Sequence, residues 1–158
     1  MLRATSGELA LTIGYTCLGN GPEHVLVMHD WNGDHTTYDA TAAYLDGSAF
    51  TYAFVDLRGY GKSRDISGDY TVAEVAADCL AVVDELGWQR FHVMGHSMTG
   101  MATQRIALDA GSRVKSAIAV CPVSAAGLDK YGSKGLYGNY FAIQLHLAGA
   151  FENKVNLG

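Results

Sequence analysis

Four short runs punctuate the chain, Val25–Met28, Tyr52–Val55, Phe91–Met94 and Ala117–Val120, all apolar except for His92 in the third. A run of this kind, without alternation, marks a strand covered on both faces. Between the runs the apolar spacing changes to that of a helix. Tyr38, Ala42 and Leu45 predict a helix from His35 to Leu45 that ends at Gly47. Val72, Val75, Cys79, Val82, Val83 and Leu86 fall on one face of a second helix, with Thr71 as its cap, Glu74 as the capping-box partner and Gly87 as its stop. A third runs from the turn at Ser97 to about Ala110, before Gly111. Upstream, Glu8 to Leu18 mixes β-branched and aromatic residues and closes on Gly19-Asn20-Gly21-Pro22, which reads as one strand or a hairpin. Strands alternating with helices imply right-handed crossovers, hence an α/β fold with a mainly parallel sheet and flanking helices. In such a sheet the functional loops follow the carboxyl ends of the strands, here at His29, Asp56, Gly95 and Cys121.

Composition narrows the function classes. The 158 residues carry 11 Lys and Arg against 16 Asp and Glu, a formal charge of −5, which disfavours a nucleic-acid partner. Hydrophobic residues make up 49% and mean hydropathy is +0.07, enough for one core without disulfides or a structural metal. No run approaches the length of a membrane span and the N-terminus lacks a signal-peptide core, so a soluble cytoplasmic protein is expected. Cys17, Cys79 and Cys121 are odd in number and widely spaced, and read as reduced, mostly buried thiols. The histidines show no ligand spacing, and neither a metal nor an organic cofactor is expected.

The chemistry concentrates in three loops. Gly95-His96-Ser97-Met98-Thr99 lies between a strand and a helix, the setting in which a sharp turn lifts a serine above the sheet at a helix N-terminus. There the Met98 amide can donate to an oxyanion. The second loop is His29-Asp30-Trp31, and the third is Asp56-Leu57-Arg58-Gly59-Tyr60-Gly61-Lys62-Ser63. The third ends like a phosphate-binding loop, but Asp56 stands where that motif needs its first glycine, and Asp56 and Arg58 read instead as residues that hold the loop together. With these three motifs in this order, the chain resembles the α/β-hydrolase superfamily, and more closely its serine esterases and cofactor-free haloperoxidase-like members. The resemblance covers about residues 8–125. It implies Ser97 as nucleophile, Trp31 and Met98 as oxyanion amides and a small carboxylic ester as substrate. A serine rather than an aspartate at the elbow argues against the epoxide hydrolase and haloalkane dehalogenase branches. Two positions depart from the family pattern: Asp30 and Thr99 both replace glycine. A β-branched residue crowds the approach of helix to strand, and a carboxylate disfavours a nearby oxyanion unless it points away or pairs.

The resemblance also implies an acid and then a histidine after the serine, yet only His146 follows it. His146 is therefore the candidate base, with Asp129 or Glu152 to orient it, while His29 and His96 read as structural. Residues 1–125 form the hydrolase core and 126–158 an atypical tail, in the same domain or exchanged between subunits, so the fold is read as an α/β-hydrolase lacking its C-terminal strands. Within the tail, Tyr140–Leu147 alternates like a strand, while Tyr137, Tyr140, Phe141, Leu145 and Ala148 fit a helical stripe, and the helix is preferred. Ala117–Val120 is then an open sheet edge, and a homo-oligomer is expected. Two functions stay open: a serine esterase, or a noncatalytic or residually active module that binds or assembles.

Overall fold

A computed structural model describes residues 12–123 and 143–146. Six strands form one sheet: β1 (Tyr15–Gly19), β2 (Glu23–Met28), β3 (Phe50–Val55), β4 (Phe91–His96), β5 (Val114–Val120) and β6 (Ile143–His146). Their order across the sheet is β1-β3-β2-β4-β5-β6. The four central strands are parallel neighbours, and β1 and β6 add antiparallel edges. All four apolar runs thus become the inner strands, as the pattern predicts. β3 lies on one side of β2 and β4 on the other, so the winding reverses between β2 and β4. The crevice at the carboxyl ends of those two strands, where Met28 pairs with Gly95, is the place such a sheet reserves for a ligand.

The helices α1 (Val72–Glu85) and α2 (Met98–Ala110) supply Cys79, Val82, Val83, Ala102 and Ile106 to one core with Leu26, Val55, Phe91 and Val93 of the sheet. Thr71 caps α1 through the Glu74 amide, while the Glu74 carboxylate reaches back to the Tyr70 amide rather than to Thr71. Gly87, at φ +70°, follows the last turn. The opposite sheet face packs Val25, Val27 and Phe54 against Tyr38 and Leu45.

Four expectations change. The segment His35–Tyr44 is a 3-10 helix with no buried residue, not an α-helix. Its threonines and aspartate have low helix propensity, and its stripe gives it little to pack. Cys17 and Cys121 are exposed, and only Cys79 is buried, because Cys17 lies on the edge strand and Cys121 leaves the sheet after β5. The helix preferred for the tail is replaced at residues 143–146 by a strand, since backbone pairing to β5 is available there. For the same reason β5 is not an open edge: Ser116–Ala119 pair with β6. Asp129, Glu152 and the rest of the tail lie outside the described residues.

Candidate active site

The turn between β4 and α2 is strained where a side chain is presented. Ser97 sits at φ 54° and ψ −111°, a region that side chains other than glycine seldom occupy. Three backbone bonds hold it there: its amide donates to Val120 O at 2.9 Å, and its carbonyl accepts from Gly100 at 3.1 Å and Val123 at 3.0 Å. Cys121, in the neighbouring loop, is also at positive φ. Close approach of α2 explains Gly95, where an added Cβ would meet Thr99 O at 2.3 Å and Thr103 Oγ1 at 2.4 Å. Ser97 is half-buried at the first turn of α2, where the Met98 amide is one that a helix cannot satisfy internally.

Beside this turn lies the loop after β2. His29 is buried, with Nδ1 at 2.7 Å from Asp30 O and Nε2 accepting from the Leu57 amide at 3.2 Å. An acceptor role for Nε2 puts the proton on Nδ1, so the ring is neutral and both nitrogens are engaged. Thr99, 1% exposed, donates from Oγ1 to His29 O at 2.8 Å and accepts from the His96 amide at 2.9 Å. Asp30 Oδ2 lies 3.4 Å from His96 Nδ1, and Asp30 Oδ1 accepts from the Asn32 amide at 3.2 Å. The loop carrying Trp31 is therefore tied to the elbow on both sides of Ser97. Among the described residues, neither the Trp31 nor the Met98 amide has a hydrogen-bond acceptor. The two departures from the glycine pattern supply both ties: position 99 has room for a side chain because that side chain bridges two backbone segments, and the carboxylate at 30 has a histidine beside it. No sequence signal states this, because the two loops face each other only through the pairing of β2 with β4.

The third motif is scaffolding, as the sequence suggests. Asp56, fully buried, accepts from the His35 amide at 2.6 Å, His35 Nδ1 at 2.8 Å and the Lys62 amide at 2.9 Å. Ser63 Oγ donates to Asp56 O and accepts from the Gly14 amide, each at 2.7 Å. Arg58 grips Asp78 of α1 through two bonds of 2.6 and 2.8 Å. Asp34, His35 and Asp56 gather ligand atoms within 4.8 Å, a grouping the sequence spacing does not announce. Asp56 is already committed to His35 and two amides, and Asp34 Oδ1 caps Thr36, so the group orders the loops.

His146 is not brought to this site. It pairs opposite Ser116, four residues back along β5 from Val120, so its backbone is about 13 Å down the strand from the elbow. At the elbow, neither ring nitrogen of His96 makes a hydrogen bond among the described residues, and Nδ1 has only the 3.4 Å approach to Asp30 Oδ2.

A family model for the alpha/beta hydrolase fold matches residues 23–141. The dihydrolipoyllysine-residue acetyltransferase component of the acetoin cleaving system of Cupriavidus necator is 36% identical over 115 residues, 72% of this chain and 30% of that protein. A 2-hydroxy-6-oxononadienedioate/2-hydroxy-6-oxononatrienedioate hydrolase of Pseudomonas sp is 30% identical over 112 residues, 66% of this chain and 38% of that one. The monoacylglycerol lipase of Paleococcus ferrophilus shares the fold, with a TM-score of 0.62 at 24% identity over 72% of this chain and 44% of its own. The chain thus spans about a third of the length of these curated relatives. Among the described residues, no helix is long and apolar enough to cross a membrane.

Proposed function

This chain belongs to the α/β-hydrolase fold family, and from that premise we propose that it cleaves small carboxylic esters through an acyl-enzyme at Ser97. The observation that carries the reading is the strained Ser97 turn with the Trp31 loop tied beside it. Ser97 Oγ attacks the ester carbonyl as its proton is taken up, the oxyanion is held by the amides of Trp31 and Met98, and that proton passes to the alkoxide, which leaves as the alcohol when the carbonyl re-forms on the acyl-serine. Water then releases the acid. The step needs a proton acceptor at Ser97 Oγ, a role His29 cannot fill with both nitrogens engaged.

A second reading has its own support: His146 sits at the far end of β5, and a hydrolase-like module that binds or assembles with little turnover accounts for that. An oxyanion hole without its full triad still gives weak catalysis, so turnover alone does not separate the two. Mass-spectrometric detection of a fluorophosphonate adduct, with Ser97→Ala as control and a short-chain p-nitrophenyl ester assayed in parallel, does. Adduct at Ser97 with sustained turnover supports the esterase. Equal labelling of the wild type and Ser97→Ala overturns it.

A further inference from the structure

We propose that the cavity between the 3-10 segment and the β1 edge of the sheet is a second binding site, for one neutral ring carrying a hydroxyl group, with phenol as the simplest member of the class. The cavity measures about 130 Å³ and is walled by Leu18, Tyr38, Ala42 and Phe54. An apolar cavity of about 150 Å³ takes up one benzene, so this space is that of a single six-membered ring. The rings of Tyr38 and Phe54 lie 5.6 Å apart and tilted, and the Tyr38 hydroxyl is committed to Met28 O at 3.0 Å, so both aromatic walls present apolar surface. Cys17 also borders the cavity, but it pairs with Ala53, whose side chain belongs to the helix-side core, so its thiol faces away.

The polar lining, His35, Thr16 and Asp39, selects the ligand. Asp56 accepts from His35 Nδ1 at 2.8 Å, so the proton of the neutral ring sits on Nδ1 and Nε2 is left as an acceptor. Nε2 has no hydrogen-bond partner among the described residues. Thr16 Oγ1 accepts from Lys62 Nζ at 2.6 Å, which leaves its own proton to donate. One acceptor and one donor suit a hydroxyl, which both donates and accepts. An ammonium group offers donors only, and a carboxylate offers acceptors only. Charge points the same way: Lys62 beside Thr16 disfavours a cation, while Asp39 in the lining and Asp56 behind His35 disfavour an anion. The site lies apart from the elbow, since its walls come from β1, β3 and the 3-10 segment, and β2 stands between β3 and β4. It therefore does not depend on the ester reading of Ser97.

NMR titration at pH 8, where phenol keeps its proton, tests the site. Phenol is compared with toluene, which has the same shape, and with benzoate and benzylamine. Phenol is expected to shift the amides of Leu18, Tyr38, Ala42 and Phe54 saturably, with a Kd of about 1 mM, and the His35 Nε2 resonance with them. Toluene is expected to bind roughly 2- to 10-fold more weakly, the share of one hydrogen bond, and the two ions more weakly still. No saturable shift up to about 20 mM phenol, well above the expected Kd, overturns the site. Equal affinity for phenol and toluene overturns the hydroxyl assignment, and tighter binding of either ion overturns the choice of a neutral ligand. Two variants then locate the ligand. Ala42→Phe, which fills the cavity, is expected to lose phenol binding while circular dichroism shows it folded. Thr16→Val, which keeps the shape, is expected to weaken phenol about 2- to 10-fold and leave toluene unchanged. Phenol binding undiminished in both overturns the proposal. Ser97→Ala is expected to bind phenol as the wild type does, and loss of binding there would place phenol at the elbow and overturn the second site.

Discussion

At φ 54° the Ser97 backbone occupies a conformation that costs a residue with a Cβ roughly 1–3 kcal/mol. Glycine adopts it freely, so Ser97→Gly is expected to stabilise the fold by about 1 kcal/mol relative to Ser97→Ala. Urea unfolding of the two variants checks this, and equal midpoints would mean the turn stores no strain. Thr99 is the counterpart that holds the turn together. Thr99→Val keeps the shape but strands the His29 carbonyl and the His96 amide, at a cost of about 2 kcal/mol, whereas Thr99→Ser retains both bonds and most of the stability. Thermal unfolding of the two variants tests it, and equal losses would assign Thr99 a packing role instead. The serine and its neighbouring amides are legible in the sequence because a motif sets their spacing. The bridging role of Thr99 is not, since it depends on β2 and β4 being adjacent, which no local pattern states.

Arg58 binds the loop after β3 to α1 with a two-pronged contact to Asp78, and Nη1 adds Ser67 O at 2.8 Å. The pairing with Asp78 holds the guanidinium well above its ordinary pKa, mostly through that hydrogen bond. Lysine offers a point charge rather than a planar fork, so Arg58→Lys is expected to cost about 1–2 kcal/mol. Arg58→Ala costs more, about 3 kcal/mol, since it leaves the largely buried Asp78 unpaired. A double-mutant cycle with Asp78→Asn measures the coupling, and additive losses would refute it. This element was readable as scaffolding because Asp56 and Arg58 stand where a phosphate would need glycine and backbone amides. The 3-10 segment was readable in its limits only. Three hydrophobic positions at helical spacing locate it, but they do not tell how little it buries, and His35 turns its ring to Asp56 instead of continuing an α-helical surface.

Across the whole sheet, the parallel core follows from four apolar runs, while both edges depend on pairings between distant segments. β6 is the instance: on sequence the helical stripe is preferred over the alternation in Tyr140–Leu147, and pairing with β5 decides for the strand at Ile143–His146. The opposite end of the sheet from the elbow is joined by charge. Glu23 on β2 meets Lys115 on β5 and His92 on β4, and His92 Nδ1 lies 2.7 Å from Ser116 Oγ. Lys115 and His92 hold the Glu23 carboxyl below its ordinary 4.5, and hydrogen bonds do the same for Glu85, Asp34 and Asp46. A carboxyl whose folded value is lowered contributes stability that is complete above the unfolded value and is lost as pH falls through the folded one. The midpoint of thermal unfolding is therefore expected to hold steady down to about pH 5 and to fall between about pH 4.5 and 3. Glu23 is more than a third exposed, so solvent screens its share, and Glu23→Gln should lower the midpoint by only about 2 °C at pH 7 and converge on the wild type at pH 3. Circular dichroism melts of both proteins across that range give the answer. A Glu23→Gln deficit that persists at pH 3 would show that the side chain acts there through packing, not charge, and that the three strands are held at this end without it.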